Sequence, residues 1–568
     1  MESAAEELEA LGIRVWGRLS AAEEGALRSF ASGFLVECVG PSDPDSNPQN
    51  GAKWHAERSI RAGFLRWLLT DGSARKLADP RGLQISYVRI DDRLILDHAD
   101  LPPFAIQNSF IPKGIALYNA KARTVILTGT HVGGIDARLL NVDGSVDMND
   151  GFLANGTVLM NGVRVSGDVN CGGSTFLSNE RFDTSAATPG VPVLTVSIAG
   201  SRIGGSVRLN HGSRFEGPVH LTNLVVGGDL LLEGGRLLSD GSEAVVAQRM
   251  SIAGSLALSG IVTNGYIDVS GSSIGGQLSC LGAQFDQPGT KTPTNAEKKV
   301  PRSGLIAEHV SIEKTFIWSE VRNNAETVLD LAFSKCSELY DDRKSWPTPG
   351  NLHIDGFRYS AFSAGPSDAN TRLDWLKLAG RSGTFREDSY EQLILVFRQI
   401  GKLRDARRVA IAMRVAERKS GQLGLFGRMW NWVLWISIGY GYRVQLVLLW
   451  GGLLLAAGAL VSHQAYKKGL MLPTSEAANQ SVQFTRSCIA PPGYPIFSSV
   501  GYSLDVLVPF LDLGQEANWA PSTSQVCGPQ RELRFAEFLR PASWVYRALG
   551  WGLATLFVVG FTALVRRE

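Results

Sequence analysis

The sequence predicts a mainly β protein: a parallel β-solenoid with flanking helices, followed by two transmembrane α-helices. Three observations support this fold class. A motif of glycine and alternating aliphatic residues recurs through the middle of the chain, two uncharged apolar segments lie near the C-terminus, and glycine makes up 62 of 568 residues. A charged fraction of 19% with 44% hydrophobic residues argues against a disordered protein.

Composition also excludes some classes of function. The formal net charge is +2, which excludes a globally basic nucleic-acid binder, so no nucleic-acid partner is expected. Six cysteines in a chain of this length exclude a small disulfide scaffold.

Residues 1–80 are predicted to form a helical cap. The N-terminus, MESAAEELEALGIRVWGRL, is acidic and has no basic segment followed by an apolar core, so no signal peptide is expected. Residues 56–69 place Ile60, Phe64 and Leu68 at helical spacing. We expect this helix to cover the first edge of the solenoid, because an open edge invites association with other chains.

Residues 81–365 are predicted to form the solenoid. The motif reads glycine, any residue, aliphatic, any residue, aliphatic. Its copies begin at Gly144, Gly156, Gly167, Gly205, Gly217, Gly228, Gly254, Gly265 and Gly276. Apolar residues two apart face one side of a strand, and glycine permits a corner that a Cβ atom would obstruct. We expect strands of four or five residues stacked in parallel, about 22 residues per turn if two motif units make one turn, and eight or nine turns over 82–286.

The motif also predicts which side chains point inward. The predicted inward residues are Val146, Met148, Val158, Met160, Val207, Leu209, Val219, Leu221, Leu256, Leu258, Ile267, Val269 and Leu278. A polar linker, 287–304, is followed by strand-like runs that predict further, irregular coils. The alternative fold is an up-and-down β-barrel or a sandwich, in which the strands would alternate in direction.

The next two segments lead into the membrane region. Residues 366–425 are predicted to form a helical hairpin of Glu387–Ile400 and Leu403–Lys419, which resembles one tetratricopeptide-like repeat. Residues 426–462 are predicted to hold a Trp-rich helix at the membrane interface and the first transmembrane helix.

The predicted spans are Val444–Val461 and Ala548–Val565, the second within residues 544–568. Their length is near the lower limit for crossing a ~30 Å hydrocarbon layer. Aromatic and arginine residues flank both, as is typical of membrane interfaces. The alternative is a pair of buried core helices.

We expect both termini in the cytosol and residues 463–543 outside it. The local count of Lys and Arg mildly opposes this orientation, but that rule weakens for connections longer than ~60 residues. The absence of a signal peptide favours it. So do Cys488 and Cys527, which an oxidising compartment would allow to form a disulfide; the alternative is that they are unpaired.

The apolar segment 494–514, between the spans, is the candidate functional element. Its candidate pore or interfacial residues are Leu504, Asp505, Leu507, Val508, Leu511 and Asp512. The leucines and valine lie at helical spacing, and Pro509 should kink or end the helix. SVGYS, 499–503, is expected to precede the helix, unlike a potassium filter. The element is predicted either to rest on the outer membrane surface or to form a pore-lining or re-entrant helix.

Motifs of catalysis and cofactor binding are absent from the sequence. It contains no GxGxxG, Walker A, CxxC or HExxH pattern, so no catalytic, cofactor-binding or metal-ligating residue is predicted and no cofactor is expected. Cys171 and Cys280 occupy an aliphatic place of the motif and are interpreted as core residues. The aspartates at 143, 147, 150 and 168 are interpreted as a solvated face, with a cation site or a glycosidase-like pair as the alternative.

The order of parts resembles a known group. The segments that carry the resemblance are RAGFLRWLL (61–69), NLHIDGFRYSAF (351–362) and YEQLILVFRQIGKLRDARRVAIA (390–412), followed by two spans. They resemble poorly characterised bacterial membrane-associated β-helix proteins, related in style to pentapeptide-repeat proteins. Some members carry automatic labels as membrane-associated oxidoreductases. The repeat is also similar to that of bactofilins, which polymerise, are shorter and lack the paired spans.

These features predict a non-enzymatic, two-pass scaffold of the bacterial inner membrane. Its expected partners are the lipid bilayer and a protein bound to the cytosolic solenoid face. The alternative is a channel or signal transducer gated by the solenoid. A channel would have to be a homo-oligomer, because two spans per chain cannot enclose an aqueous path.

Overall fold

A computed structural model shows the parallel β-solenoid and the two long apolar helices that the sequence predicts. It describes residues 2–38, 46–180, 194–239, 243–286, 303–379, 386–419, 424–438, 445–523, 527 and 536–565. The chain forms two compact units, Met1–Val409 and Ala410–Glu568. The first unit contains the solenoid and the second contains both apolar helices.

Four stacks of short strands run along the solenoid, and the chain passes through them in the same order on each turn. The first stack is Asp100–Leu101, Lys121–Ala122, Asn141–Val142, Arg164–Val165, Arg202–Ile203, Val225–Val226, Ser251–Ile252 and Ser273–Ile274. The second is Val36–Glu37, Leu83–Ser86, Phe104–Gln107, Val125–Ile126, Val146–Asp147, Val169–Asn170, Val207–Arg208, Leu230–Leu231, Leu256–Ala257 and Leu278–Ser279. Three longer strands continue both stacks: Ser311–Trp318, Lys335–Asp341 and Arg358–Ala364.

Separate sheets form the other two stacks. The third is Phe110–Ile111, His131–Val132, Leu153–Gly156, Thr175–Glu180, Arg214–Glu216, Arg236–Leu238, Val262–Thr263 and Gln284–Phe285. The fourth is Leu94–Ile95, Ile115–Ala116, Ile135–Asp136, Val158–Leu159, Val196–Ser197, Val219–His220, Glu243–Val246, Tyr266–Asp268, Gly304–Ile306, Val328–Asp330 and Leu352–His353.

The strand register confirms the predicted period. Ile135 pairs in parallel with Ile115 on one side and Val158 on the other, so these turns take 20 and 23 residues. The 11 strands of the fourth stack correspond to about eleven turns, eight of them before the linker and three after it. All the predicted inward residues are buried, at 3% exposure or less.

The predicted strand length is wrong, because a turn contains four strands and most of them are only two residues long. Each motif unit therefore folds into two strands separated by a bend. A two-residue strand directs one side chain inward and one outward, which is enough to continue the core on each side of a coil.

Helices cover the N-terminal edge of the solenoid. They are α1 (Glu2–Trp16), α2 (Ala21–Ser32), α3 (Ala62–Thr70) and α4 (Gly72–Lys76), with 3₁₀ turns at Pro48–Lys53 and Ala56–Arg58. The hydroxyl of Ser29 in α2 donates to the carbonyl of Gln84 at 2.6 Å and accepts from its N–H at 2.9 Å. The predicted helix over 56–69 starts later, at Ala62, because residues 56–58 form the 3₁₀ turn.

Three helices follow the last coil: α5 (Ala369–Leu378), α6 (Glu387–Gln399) and α7 (Leu403–Lys419). The hairpin of α6 and α7 has the predicted location, whereas α5 was not predicted. A short 3₁₀ turn, Asn324–Glu326, lies earlier, within the last coils. The amide of Gln392 in α6 donates to the carbonyl of Tyr359 at 2.6 Å. Both edges of the solenoid thus have helices against them.

The second unit comprises α8 (Leu425–Ile438), α9 (Gln445–Lys467), α10 (Glu476–Asn479), α11 (Val482–Ser487), α12 (Ser499–Leu507), α13 (Gln515–Asn518) and α14 (Ala536–Val565), with Met471–Pro473 antiparallel to Trp519–Pro521. The stretches Gln445–Lys467 and Glu537–Val559 are long and apolar enough to cross a membrane, and only 11% and 6% of their hydrophobic windows are buried. Helix α14 begins at Ala536, before the predicted residue 544.

Candidate functional site

The first stack presents one continuous row of outward side chains, here called the outer row. It consists of Asp100, Lys121, Asn141, Arg164, Arg202, Val225, Ser251, Ser273, Ser311, Lys335 and Arg358. The next residue of each strand points inward, because successive side chains of a strand alternate between its faces. The outer row therefore carries five basic side chains and one acidic one.

Arg164 and Arg202 are direct neighbours in this row, on adjacent turns, and both are exposed. Adjacent strands are about 4.8 Å apart, and like charges directly opposite one another destabilise a sheet. Within the described part of the chain neither guanidinium forms an ion pair, whereas nearby Arg208 donates to Asp168 at 2.7 Å. The two neighbouring arginines therefore carry a local electrostatic cost to the fold.

The four aspartates that were considered as a cation site do not form one among the described residues. Among the described residues, no group of three His, Cys, Asp or Glu side chains could hold a metal ion. Asp168 accepts from Arg208 and from the Ser206 N–H, both at 2.7 Å, and these contacts lower its pKa. Burial in the core raises the pKa of Cys171 to about 12, in keeping with a packing role.

In the second unit, the candidate element packs between the two long apolar helices. The Ser503 hydroxyl of α12 lies 3.1 Å from the Ser462 hydroxyl of α9. The Tyr546 hydroxyl of α14 donates to the Ser503 carbonyl at 3.3 Å and to the Leu454 carbonyl of α9 at 3.2 Å. Helix α12 is therefore held by both helices.

The C-terminal end of α12 runs along α9. Ser503 contacts Ser462, near the C-terminal end of α9, and the Tyr546 hydroxyl joins the carbonyls of Ser503 and Leu454. Leu507 lies four residues beyond Ser503, which is about 6 Å of helix rise.

The end of α12 separates the six candidate residues of segment 494–514 into two groups. Leu504, Asp505 and Leu507 lie in the helix, which ends immediately before Val508 and thus before Pro509, as predicted. Leu511 and Asp512 lie beyond it, so the predicted helical spacing of Leu511 does not place that residue in the helix. The placement of SVGYS before the helix is also wrong, since 499–503 form its first turns with Ser498 as the N-cap.

Asp505 connects the helix to the returning chain. Its carboxylate is buried and accepts from the N–H groups of Leu513, at 2.7 Å, and Glu516, at 2.8 Å. Arg547 of α14 forms an ion pair with Glu516. The Asp505 carboxylate therefore holds the returning chain against α12. Both of its oxygens accept a hydrogen bond, so neither is left without a partner.

Other described residues between α9 and α14 form a small core around Trp519. The Trp519 side chain is fully buried, packs edge-on against Tyr466 and Phe497, and donates its indole N–H to the Pro495 carbonyl at 3.1 Å. The structure joins Cys488 to Cys527 in a disulfide with a Cα–Cα distance of 5.3 Å. These contacts hold the segments on either side of α12 in place.

We predict that Gly550→Val displaces α12 from α14. A Cβ atom on Gly550 would lie 2.0 Å from the Leu507 carbonyl oxygen, so the two backbones can meet only without it. Thiol labelling of a cysteine introduced at Leu507, which is 6% exposed, should rise at least tenfold. Gly552→Val is the control, since its Cβ meets nothing within 4 Å. Equal labelling in both variants would contradict the packing.

Sequence reasoning missed the outer row, because its successive residues are 20 to 38 residues apart along the chain and become neighbours only by stacking. A search at one strand position of the solenoid would have found it only if it allowed for the longer insertions, such as the one between Arg164 and Arg202. Comparison of the chain with protein-family models, with curated proteins and with solved structures finds no match.

Proposed function

We propose that this protein is a non-enzymatic, membrane-anchored scaffold whose solenoid binds an acidic segment of a protein partner along the outer row. The single observation that carries the proposal is the exposed Arg164–Arg202 neighbour pair, which forms no ion pair with the residues that the structure describes and lies in a row of five basic side chains. A solenoid suits this role because its repeats present side chains in parallel rows.

The covered ends of the solenoid support binding along its side. Helix α2 contacts the first strands, and α5 and α6 pack on the last coil, so the strand edges are not free to extend into another copy. Polymerisation of the kind seen in bactofilins would need open edges. The lateral rows are the extended surface that remains.

The anchor is proposed to be α9 and α14, in the inner membrane of a bacterium with both termini in the cytosol. Large apolar side chains such as Leu448, Leu460 and Val559 are at least 60% exposed, as lipid-facing residues would be. The Cys488–Cys527 disulfide supports an oxidising environment for the connecting segment.

Two tests of the anchor are direct. We expect the chain to stay in the membrane pellet after alkaline carbonate extraction. We also expect a membrane-impermeant maleimide to label Cys488 and Cys527 in cells only after reduction. Release into the supernatant would contradict the anchor, and labelling only after cell lysis would contradict the orientation.

Binding is tested with the double variant Arg164→Ser/Arg202→Ser. Serine already occupies the outer row at Ser251 and Ser273, so the fold should tolerate it. The probe is a fluorescent octaglutamate peptide, titrated against the purified full chain in detergent at low salt. We expect about fivefold weaker binding, since exposed ion pairs contribute about 0.5 kcal/mol each.

The matched control is Arg214→Ser/Arg236→Ser, which removes two neighbouring arginines from the third stack. Unchanged binding in the outer-row variant, or an equal loss in both variants, would contradict the role of the outer row. Binding of an octalysine peptide with similar affinity would contradict charge recognition altogether.

A second candidate function is an oligomeric channel, and the position of α12 between the two long apolar helices is the observation that favours it. The C-terminal end of α12 carries the negative pole of its helix dipole and would point toward the middle of the bilayer, where it favours a cation. Light scattering of the detergent-purified chain, corrected for bound detergent, tests this function. A monomer contradicts it, and a discrete ring leads to conductance measurements in a planar bilayer.

A further inference from the structure

A polar cavity of about 340 Å³ lies at the end of the outer row, between the last coils of the solenoid and α6; we call it the α6 pocket. Its walls include Lys335 and Arg358 of the outer row, Glu313 of the preceding turn, and Leu395 and Gln399 of α6. Lys335 and Arg358 pair in register on adjacent turns. Two cations therefore face the same cavity.

Buried contacts hold α6 against the last coil and fix one of these cations. Gln392 is 3% exposed; its amide donates to the Tyr359 carbonyl at 2.6 Å, and its carbonyl oxygen accepts from the Arg358 guanidinium at 3.0 Å. The Asp388 carboxylate accepts from the Gly356 N–H at 2.7 Å. The Arg358 guanidinium is thus positioned beside the cavity in advance, which lowers the ordering cost of binding a ligand.

Both cations keep hydrogen-bond donors for a ligand. Among the residues that the structure describes, Lys335 has no ion pair and no side-chain hydrogen bond, and Arg358 donates only to Gln392. A guanidinium carries five N–H donors and an ammonium group three. Most of the donors at the α6 pocket are therefore available.

The charges around the pocket indicate the class of ligand. Lys335 and Arg358 contribute two positive charges and Glu313 one negative charge, so the lining residues carry a net charge of +1. One carboxylate balances that charge, whereas a phosphate group carries about −1.5 to −2 and would exceed it. Arginine also binds carboxylates in a two-pronged geometry. The chemistry that fits the pocket is a carboxylate.

The position of the pocket connects it to the rest of the outer row. Five strand spacings separate Arg202 from Lys335, which is about 24 Å. Eight extended residues span about 26 Å. An acidic segment of eight residues with one end in the α6 pocket therefore reaches Arg202.

We propose that the α6 pocket receives a glutamate or aspartate carboxylate of the acidic partner segment and thereby fixes the register of that segment along the outer row. The inference rests on the proposed function, because it names the place where the partner is anchored. A carboxylate between Lys335 and Arg358 would also relieve the repulsion between these neighbouring cations.

The test is carbodiimide coupling of the fluorescent octaglutamate peptide to the purified full chain in detergent at low salt. Carbodiimide joins a carboxylate directly to a lysine amine, so the modified lysine reports where a glutamate lies. Adducts are mapped by mass spectrometry of peptides. We expect at least fivefold more adduct on Lys335 than on Lys121, the other lysine of the outer row, which is eight strand spacings or about 38 Å away.

A substitution that blocks the pocket without changing its charge separates a formed site from a row of charges. Leu395 lines the pocket and is 50% exposed, so Leu395→Trp should occlude it and reduce the adduct on Lys335 at least fivefold. Leu403→Trp is the matched control, because Leu403 is 56% exposed and does not line the pocket. Gln399→Trp, at a second lining residue, guards against misfolding of the Leu395→Trp variant and should show the same loss.

Equal adducts on Lys335 in the Leu395→Trp and Leu403→Trp variants would overturn the α6 pocket as the anchoring site, as would equal adducts on Lys335 and Lys121. Failure of the proposed function is recognised separately, by an octaglutamate affinity that does not change in the double arginine variant of the outer row. Adducts on Lys335 that are still lost in the Leu395→Trp variant would then support the pocket as a carboxylate site by itself.

Discussion

Replacing Arg372 by methionine is expected to detach α5 from the last coil of the solenoid. The guanidinium of Arg372 is fully buried and donates to both carboxylate oxygens of Asp341, at 2.7 and 2.6 Å. Its third nitrogen donates to the Pro366 carbonyl at 2.7 Å, and the group lies 4.1 Å from the Phe362 ring centre. The substitution leaves the Asp341 carboxylate buried without its cation, which costs about 3–5 kcal/mol.

Hydrogen exchange of the α5 amides in the full chain measures this loss, because it reports local opening. A loss of 3 kcal/mol corresponds to exchange about 100-fold faster. Arg343→Met is the control: its ion pair with Asp374 is 3.6 Å long and exposed, and it should contribute less than about 1 kcal/mol.

A double substitution distinguishes the contribution of the Arg372–Asp341 ion pair from that of side-chain packing. Asp341→Leu/Arg372→Met removes both charges, and it should cost less than Arg372→Met alone. Protection of α5 that is unchanged in the Arg372→Met variant would show that the salt bridge does not hold α5 on the solenoid.

Gly254→Ala is expected to destabilise the solenoid by about 3 kcal/mol. The N–H of Gly254 donates to the Gly228 carbonyl at 2.9 Å, and a Cβ atom on Gly254 would lie 2.7 Å from that same oxygen. The obstacle is the backbone of the preceding turn, which cannot move without breaking the strand pairing.

The matched control lies in the same turn. Gly260 has a φ of +63°, and the nearest atom to its Cβ would be 3.9 Å away. Asn108, Asp150 and His211 adopt the same left-handed conformation at this corner in other turns. Gly260→Asn should therefore change stability by less than about 1 kcal/mol.

Thermal unfolding of the purified full chain, followed by far-ultraviolet circular dichroism, compares the two variants. The Gly254→Ala chain should melt several degrees below the Gly260→Asn chain. Similar melting temperatures would mean that the close approach of successive turns is not needed.

The glycine substitutions show where the sequence pattern stops being informative. Glycines that open the motif before the second stack, from Gly144 to Gly276, hydrogen-bond to one another across six turns. The same motif before the fourth stack has glycine at 156, 217 and 265, but Glu243 takes that place on another turn. The motif therefore contains two kinds of glycine. Only the glycines before the second stack have the backbone of a neighbouring turn against them on every one of these turns.

The segment 494–514 also shows where sequence spacing stops being informative. Pro509 allowed the end of α12 to be predicted, because proline has no N–H and restricts the residue before it. Leu511 has helical spacing to Leu504 and Leu507 but lies on the returning chain. Spacing alone could not distinguish these cases, nor show that Ser462 and Tyr546 hold the helix.

The sequence by itself determined the features that repeat or that depend on a local run of residues: the parallel solenoid with its buried positions, and two helices apolar enough to cross a membrane. The period of the apolar residues is sufficient for these, since it reports which way each side chain faces. The tertiary structure alone decided which distant residues meet: Arg372 with Asp341, Arg164 with Arg202, and α12 with both long helices. Such pairs depend on the stacking and packing of segments far apart in the chain, which no local pattern records.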